Sequence, residues 1–574
     1  MSDSSPIYTG AHALLDTFRD AGVEQIFVNL GSDHPPLIEA MAGARGAGHN
    51  TPGIVVVPHE SVGLSAAHGH ALLSGRAQAV VVHCDVGTQT LGGAIHNVNR
   101  ARVPAFVFAG ETSVTIDGDA YGPRNRAVQF IQDVPDQHSS VRAYAKWAYP
   151  LRGASNIAQV TYRGFQLANS EPKGLAYMSA PRELLATEVL KAPAQMEHWP
   201  SPGPSGLSPE FVEQLAGAIL ACRRGVIVTT YAGRRAQCWT ALQRLVDISG
   251  LGVVEASATY GNFPADHEQH LGYELEPLLA DVDFILLLDC DIPWVPVVAR
   301  PTNDTPVYQI DVDPLKTDMP LWHFPILGSA AADATLACQQ LAAHLASSDA
   351  YASQRERKAW AVDIHRQQRQ RWQGEARVDA TMTPAWLMRC VNDVVMTSRT
   401  VVLDESVTNV PAVRTQIPIT RPDAYFQSGG SALGWHGGAA IGAKLAAPDR
   451  EVVALCGDGS YMFSVPSSVH WVARRYGLGF LTIILNNGGW NATKQNLLKL
   501  HPDGLAATND DLWVNLSPAA DYGAIAAAAG GAWYHQVSDP AAVPDVLRNA
   551  MDVVRGGRAA VVDAVLPAIS NQAD

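Results

Sequence analysis

The chain has 574 residues, of which 47% are hydrophobic and 17% are charged. A single core does not reach this length, so roughly three domains of ~150 to 200 residues are expected. The formal net charge of -14 argues against nucleic acid or an anionic membrane as a partner, because neither is attracted to an acidic surface.

The amino terminus and the cysteines indicate a cytoplasmic protein. Residues 1–6 contain neither the basic region nor the apolar region of a secretory signal. No apolar run approaches the ~20 residues that span a bilayer. The seven cysteines form no Cys-x-x-Cys pair, and their odd number is typical of reduced thiols rather than of a disulfide framework or a zinc site.

Apolar strands alternate with helical segments in residues 1–190. The clearest predicted strands are Gln25–Asn29, 54–57, 79–83 and 105–109. Strands separated by helices predict a parallel sheet that is covered on both faces. We therefore expect this region to be a first α/β domain.

Polar residues in the loops that follow these strands are candidates for catalysis. Ser32 and His83 follow two of the strands, Glu60 follows a third and opens a helix of small residues, and Gln132 lies in a later loop. Catalytic groups of α/β folds lie in such loops. Each residue also has a structural explanation: Glu60 as a carboxylate that stabilises a helix amino terminus, His83 as a packing residue and Gln132 as a surface turn.

A proline-rich linker, residues 191–209, separates the first domain from a second α/β unit in residues 205–345. Its predicted strands are Gly225–Thr229, Phe284–Leu288 and Val307–Asp311. No Gly-x-Gly-x-x-Gly follows a strand, so the motif for a dinucleotide is missing. Arg234 and Arg235 are the candidates there for contact with a nucleotide phosphate. Charge and glutamine density in residues 346–378 predict a solvated connecting helix.

The third domain, residues 376–574, contains two strand ends that predict a magnesium site. One apolar strand ends before Asp458 and the next ends before Asn487, 29 positions later. Because parallel strands end at the same sheet edge, the two side chains are expected to lie together. Their oxygens and the carbonyl of Gly489 are ligands that Mg²⁺ prefers. Gly457, Gly459 and Ser460, in the turn around Asp458, are the residues expected to contact a diphosphate.

These paired loops resemble the diphosphate-binding motif of thiamin diphosphate enzymes of the acetolactate synthase, pyruvate oxidase and benzoylformate decarboxylase superfamily. The resemblance implies thiamin diphosphate and Mg²⁺ as cofactors. It also implies three doubly wound parallel-sheet domains: a pyrimidine-binding domain (1–190), a central Rossmann-like domain (205–345) and a diphosphate-binding domain (376–574). The first and third domains should share a fold, and the sites should lie between subunits of a homodimer or homotetramer. Central domains of relatives hold FAD, ADP or nothing, and the sequence leaves this open.

The same resemblance implies roles for residues around the cofactor. Glu60 matches the glutamate that hydrogen-bonds the aminopyrimidine ring and promotes deprotonation of the thiazolium carbon. In the glycine-rich segment 429–442, Leu433 matches the bulky residue that supports the bent cofactor, although Gly438 stands where relatives usually have a proline. Trp490 either walls the pocket or packs in the core.

Further matches suggest the reaction. Ser32 and His83 match an active-site serine and histidine of benzoylformate decarboxylase, and Gln132 matches the active-site glutamine of acetolactate synthase and benzaldehyde lyase. A serine suits a substrate carboxylate, a histidine of near-neutral pKa suits proton transfer, and an amide suits a carbonyl oxygen.

We therefore expect a non-oxidative lyase or carboligase that acts next to a carbonyl of a 2-oxo acid, hydroxy ketone or aldehyde. Acetolactate synthase and 2-hydroxyacyl-CoA lyase are the alternative enzymes. A cofactor-binding but inactive subunit of a larger complex is the alternative from another class. Intact Glu60, Asp458 and Asn487 argue against that last alternative.

Overall fold

A computed structural model describes residues 7–48, 50–191, 193, 196–347, 351–378, 381–509 and 513–568. The strands of these residues form three separate parallel sheets, so the predicted fold class is confirmed. Among the described helices, none has the length and apolar character needed to cross a membrane.

The first sheet is built from residues 25–181. Its strands are β1 (Gln25–Asn29), β2 (Gly53–Val56), β3 (Gln78–Val82), β4 (Ala105–Glu111), β5 (Trp147–Pro150) and β6 (Leu175–Pro181). The helices are α1 (Gly10–Asp20), α2 (Pro35–Gly46), α3 (Glu60–Ser74), α4 (Asp85–Arg100), α5 (Val128–Ile131), α6 (Ser139–Arg142), α7 (Ile157–Asn169) and α8 (Arg182–Ala186). The strand order is β2-β1-β3-β4-β6-β5. Both β3 and β6 are buried along their full length, as expected of parallel strands covered on both faces.

The central sheet has five strands. They are β7 (Gly225–Thr229), β8 (Gly252–Val254), β9 (Phe284–Leu288), β10 (Val307–Asp311) and β11 (Gly328–Ala331), in the order β11-β10-β9-β7-β8. The helices are α9 (Pro209–Ala221), α10 (Ala236–Ser249), α11 (Ala334–Ala346) and α12 (Tyr351–Glu375). Helix α9 begins where Ser208 accepts a hydrogen bond from the amide of Phe211 and Pro209 occupies the first turn.

Helix α12 is the predicted connecting helix, but it is not simply solvated. Arg357 is 1% exposed and donates to the carbonyl oxygens of Ser249 and Cys222, at 2.8 and 2.9 Å. The charge density of the segment predicted a helix surrounded by water. The structure instead uses one of its arginines to satisfy buried carbonyls of the central domain.

The third sheet repeats the topology of the first. Its strands are β12 (Thr400–Glu405), β13 (Tyr425–Phe426), β14 (Glu451–Gly457), β15 (Leu481–Asn486), β16 (Trp533–Val537) and β17 (Ala560–Val565). The helices are α13 (Pro384–Val394), α14 (Val410–Gln416), α15 (Trp435–Ala446), α16 (Asp458–Phe463), α17 (Pro466–Tyr476), α18 (Asn491–Leu500), α19 (Leu505–Asn509), α20 (Tyr522–Gly530) and α21 (Val543–Arg555). The order β13-β12-β14-β15-β17-β16 matches the first sheet strand for strand. The expectation of a shared fold is therefore correct.

Helices α3 and α15 join the first and third domains through small residues. A Cβ built on Gly442 would lie 1.8 Å from the carbonyl oxygen of Ala66, and one on Gly69 would lie 2.2 Å from that of Ala439. A Cβ on Gly438 would lie 2.6 Å from a carbonyl oxygen of α3. The backbone of α3 therefore leaves no room for a side chain, including a proline ring, at position 438.

Candidate active site

The structure brings the two predicted magnesium ligands of the third domain to neighbouring strand ends. Strands β14 and β15 pair in parallel, with Gly457 opposite Leu485. Asp458 begins α16 directly after β14, and Asn487 directly follows β15. Both residues are buried: Asp458 is 1% exposed and Asn487 is 9% exposed.

Two oxygens at this edge have no internal partner. Oδ2 of Asp458 and Oδ1 of Asn487 are buried and accept no hydrogen bond from any described residue. Burial raises the pKa of Asp458, and neighbouring backbone amides act in the opposite direction. Buried polar atoms normally have a partner. A carboxylate oxygen and an amide oxygen left together in this way fit a hard cation such as Mg²⁺.

The glycines of these loops differ in how closely other residues approach them. A Cβ built on Gly457 would meet no atom within 4 Å, so its backbone faces open space. A Cβ on Gly459 would lie 2.1 Å from Cζ3 of Trp490, whose ring packs on this glycine. The ring of Trp490 also meets Phe463 edge to face at 5.6 Å. Trp490 thus packs against the predicted diphosphate turn, and Ser460 is buried in the first turn of α16.

The backbone around Gly489 is fixed by a distant segment. A Cβ on Gly489 would lie 2.1 Å from the carbonyl oxygen of Val514, and that oxygen accepts the amide of Trp490 at 2.8 Å. The carbonyl of Gly489, the predicted third ligand, accepts the amide of Asn491 at 3.0 Å. A carbonyl oxygen has two lone pairs, so this bond leaves one free for a cation.

A buried glutamate that sequence reasoning missed holds the glycine-rich segment. Glu405 ends β12 and accepts the amide of Gly434 at 2.5 Å, and the amide and Nδ1 of His436 at 2.8 Å each. Gly434 has a φ of +92° and precedes α15. The preceding residue, Leu433, is half-buried. Asn97 of the first domain also binds both backbone groups of Ala432.

Glu60 is the first residue of α3, at the carboxyl edge of the first sheet. Its Oε1 accepts from Nδ2 of Asn29 at 2.9 Å, and its Oε2 accepts from Oγ1 of Thr90 at 2.6 Å. The carboxylate is therefore oriented from both sides by groups on β1 and α4. Its place at a helix start agrees with the structural explanation too, but the two side-chain donors fix the carboxylate in a way that a helix start alone does not require.

His83 is held between an acid and an amide. Its Nδ1 lies 2.5 Å from Oδ1 of Asp33, and its Nε2 lies 3.2 Å from Oε1 of Gln132. Gln132 is 9% exposed, and its Nε2 has no hydrogen-bond partner among the described residues. The structure therefore brings two of the predicted residues together and places Gln132 in the interior rather than in a surface turn.

Among the described residues of the loop 31–34, Asp33 is the one that hydrogen-bonds His83. Ser32 is half-buried, and its carbonyl oxygen accepts from Nη1 of Arg182 at 3.0 Å. The hydrogen bond to Asp33 raises the pKa of His83 to about 10. Burial opposes ionisation of Asp33, but the two neighbouring histidines, His34 and His83, hold its pKa below the ordinary value. His83 is thus a cation at neutral pH, which corrects the expectation of a near-neutral pKa.

His83 and Glu60 flank one point of the first sheet's edge. A Cβ built on Gly87 would lie 3.1 Å from Cβ of His83 and 3.3 Å from Oε1 of Glu60. Asp33 is equally confined, since a Cβ on Gly110 would lie 1.7 Å from its Oδ2. The edge therefore presents a fixed carboxylate, an imidazolium and an amide donor side by side. These groups can bind an anionic substrate, orient a carbonyl oxygen and deliver a proton.

Comparisons with known proteins cover both of the domains that carry these residues. Residues 8–140 match the family model of the thiamine pyrophosphate enzyme N-terminal TPP binding domain, and residues 407–564 match that of the C-terminal TPP binding domain. Together the two matches span about half of the chain.

Similar proteins cover nearly the full length. The acetolactate synthase isozyme 3 large subunit of Escherichia coli K12 is 24% identical over 97% of this chain and 95% of its own. Benzoylformate decarboxylase of Pseudomonas aeruginosa is 22% identical over 84% of this chain and 86% of its own. The solved structure of the thiamine diphosphate-dependent 4-hydroxybenzoylformate decarboxylase of Rhodococcus jostii RHA1 superimposes with a TM-score of 0.79, covers 98% of this chain and 99% of that one, and is 20% identical. Matches to both cofactor-binding domains, on two sheets of one topology, make this chain a member of the thiamine pyrophosphate enzyme family.

Proposed function

We propose that the chain catalyses non-oxidative cleavage or formation of a C-C bond next to a carbonyl, with a 2-oxo acid as the favoured donor. The observation that carries this proposal is the position of His83, whose ring nitrogens lie 2.5 Å from Asp33 and 3.2 Å from Gln132, beside Glu60. A fixed cation suits the carboxylate of a 2-oxo acid. The similarity to benzoylformate decarboxylase supports the same substrate class.

The cofactor residues of the proposal come from both domains. Glu60 would hold the aminopyrimidine ring, and Leu433 and Trp490 would flank the rest of the cofactor. Asp458, Asn487 and the carbonyl of Gly489 would hold Mg²⁺, and the amides of the 457–460 turn would hold the diphosphate. When bound, thiamin diphosphate supplies a nucleophilic carbon and an electron sink.

The side chains of the first domain have separate tasks in this proposal. The carboxylate of Glu60, held by Asn29 and Thr90, would exchange a proton with the ring of the bound cofactor. Nε2 of Gln132, which has no partner among the described residues, donates to a carbonyl oxygen of the substrate. His83 binds the substrate carboxylate and then delivers a proton to the product. Ser32 lies next to Asp33 and offers a hydroxyl to the same carboxylate.

The proposal includes a second copy of the chain. Large apolar side chains are exposed on both cofactor-binding domains. Those of the first domain include Val114, Ile116, Phe130 and Ile131, and those of the third include Met462, Phe463, Leu505 and Trp513. Exposed apolar groups of this kind mark contact surfaces. A homodimer or homotetramer in which the first domain of one copy faces the third domain of another would cover them.

Acetolactate synthesis is the second candidate. The E. coli acetolactate synthase subunit matches 97% of this chain, more than the 84% matched by the Pseudomonas decarboxylase. In both reactions a 2-oxo acid loses CO₂. The products differ, since acetolactate synthesis adds a second 2-oxo acid, whereas decarboxylation ends with an aldehyde.

The test combines a substrate panel with Glu60→Gln. Purified protein with thiamin diphosphate and Mg²⁺ is assayed against 2-oxo acids and hydroxy ketones, and we expect an aldehyde or hydroxy ketone without an electron acceptor. Glu60→Gln should retain the cofactor but lose about 10² to 10⁴ in rate, because an amide does not exchange the proton. Exchange of the thiazolium C2 hydrogen, followed by NMR, should slow in parallel.

Glu24→Gln is the matched control, because Glu24 is an exposed glutamate of the same domain, and it should behave as the wild type. If the C2 hydrogen exchanges as fast in Glu60→Gln as in the wild type, Glu60 does not perform the proposed proton exchange. Acetolactate from pyruvate alone would favour the second candidate. A strict need for flavin with a quinone or oxygen would contradict the proposal.

A further inference from the structure

The central sheet has a switch point of its own, where a ligand of an open α/β sheet is expected. In the order β11-β10-β9-β7-β8, the chain direction of the connections reverses between β7 and β9. Ligands of such sheets bind in the crevice beyond the carboxyl ends of the two switch-point strands. FAD or ADP bound to the central domain would therefore be expected in this crevice.

Backbone hydrogen bonds join the two loops that border the crevice. The carbonyl oxygen of Asp289, which follows β9, accepts the amides of Thr230 and Tyr231, which follow β7, at 3.1 and 3.0 Å. Tyr231 also donates its hydroxyl to Oδ2 of Asp291 at 2.8 Å. The two loops that would part around a ligand are thus bonded to each other.

An arginine of the first domain enters the same crevice. Arg102 is 6% exposed, and its guanidinium lies 2.8 Å from Oδ1 of Asp311 and 2.9 Å from Oδ1 of Asp291. It also lies 4.4 Å from the ring centre of Tyr231. Lys316 reaches the same two carboxylates, at 2.5 and 2.8 Å.

The backbone of this cluster is strained. Arg102, Asp289 and Lys316 have φ values of +55°, +46° and +51°, in the left-handed region that non-glycine residues avoid. Such strain persists where the surrounding contacts determine it. The carboxylate of Asp289 completes the cluster at 3.8 Å from Arg102 and 3.7 Å from Arg234, although its Oδ1 accepts no hydrogen bond from a described residue.

A glutamate of the first domain occupies the anion position. The start of a helix is where a nucleotide phosphate binds in such folds, and Arg234 and Arg235 directly precede α10. Their guanidinium groups bind the carboxylate of Glu171, at 2.5 and 2.7 Å. Arg235 also reaches Asp333 at 2.8 Å. The two arginines expected to meet a nucleotide phosphate therefore already bind a carboxylate.

We infer that side chains of the first domain occupy the charged positions of this crevice, beside a remaining cavity of about 260 Å³ lined by Arg102, Asp291 and Lys316, so that this protein takes neither FAD nor ADP there. Glu171 stands where a phosphate would bind, and Arg102 joins the loops beyond the strand ends through Asp291 and Asp311. The central domain serves as the receptor for the first domain. This goes beyond the proposed function, since either proposed reaction can proceed with or without a nucleotide.

The test measures nucleotides on the intact protein. Purified wild type is denatured, and the supernatant is analysed for flavin absorbance and for adenine nucleotides by chromatography. The native protein is also titrated with ADP and with FAD in a calorimeter. We expect neither nucleotide in the supernatant and no saturable binding of either. About one FAD or ADP per chain, or saturable binding by the wild type, would overturn the inference.

Two variants make the test specific. Glu171→Gln keeps the shape of the side chain but frees Arg234 and Arg235 from a carboxylate, so it should show saturable ADP binding that the wild type lacks. Glu213→Gln, an exposed glutamate on α9, should behave as the wild type. Equal ADP binding in wild type and Glu171→Gln would overturn the role of Glu171. The wild-type measurement stands even where a variant does not fold.

Discussion

The carboxyl edges of the central and third sheets both carry buried carboxylates, but their partners differ. At the central edge, Asp291 and Asp311 lie within hydrogen-bonding distance of Arg102 and Lys316. At the third edge, Asp458 has an oxygen with no partner among the described residues. The comparison teaches that an acidic strand end does not by itself indicate a ligand site. The central carboxylates, Asp289 included, have a cationic side chain within 4 Å, whereas Asp458 forms no ion pair with a described residue. The edge that lacks a protein cation is the one where we propose Mg²⁺.

Among the variants that test this difference between the two edges, we expect the largest effect from Arg102→Ala. Removing the arginine leaves carboxylates buried without their cation, which should lower the free energy of unfolding by about 3 to 5 kcal/mol. Denaturant unfolding followed by fluorescence measures the change. Arg19→Ala, which breaks partly exposed ion pairs with Asp16 and Asp20, is the control and should cost about 0 to 1 kcal/mol. Equal midpoints for Arg102→Ala and the wild type would break the comparison.

Asp458→Ala should change cofactor affinity rather than stability, in contrast to Arg102→Ala. It removes the anionic ligand proposed for Mg²⁺, and since even outer partners of metal ligands contribute 10- to 100-fold, cofactor affinity should fall by more than about 100-fold. The unfolding midpoint of the cofactor-free protein should not fall, because the carboxylate lost there had an unsatisfied oxygen. Calorimetry with thiamin diphosphate and Mg²⁺ measures the first quantity and thermal unfolding the second.

Asp545→Ala, at an exposed site on α21, is the control for Asp458→Ala and should leave both quantities unchanged. Unchanged cofactor affinity in Asp458→Ala would remove that residue from the magnesium site. A large loss of stability without cofactor would show that the third edge is neutralised internally, as the central edge is.

The smallest effect is a displacement of the pH profile by Asp33→Asn. The pKa of His83, raised to about 10 by Asp33, keeps the imidazole protonated below that pH, and the proton is lost as pH rises through it. Without the carboxylate the pKa should return toward roughly 6.5. The alkaline limb of kcat/KM should therefore move from near pH 10 toward neutral pH.

Asp136→Asn, an exposed aspartate of the same domain, should leave the alkaline limb in place. A limb that stays near pH 10 in Asp33→Asn would show that the activity does not follow the charge of His83.

The parts of this fold that sequence predicted are those encoded locally. Buried parallel strands are apolar runs, and Asp458 and Asn487 could be paired because each directly follows such a run. The role of Ser32 stays a prediction, whereas the neighbouring Asp33, which was not among the predicted site residues, binds His83. Adjacent loop residues point in different directions, and sequence alone does not decide between them.

Long-range charge pairing escaped sequence reasoning altogether. Arg102 and Asp311 are 209 positions apart, and no local pattern joins them. The sequence makes Arg234 and Arg235 candidates for contact with a phosphate. It does not reveal that they bind Glu171, because that residue belongs to another domain. A cation in a sequence predicts an anion nearby in space, but which anion depends on how the domains pack.

The glycine contact between α3 and α15 has a mechanical consequence. In the proposed dimer, Glu60 at the start of α3 serves one cofactor, while Leu433 before α15 of the same copy serves the other. Backbone touches backbone at Gly69 and Gly442, so no side chain can yield between the two helices. The segments that lead to the two reaction centres of the proposed dimer are therefore held in direct backbone contact.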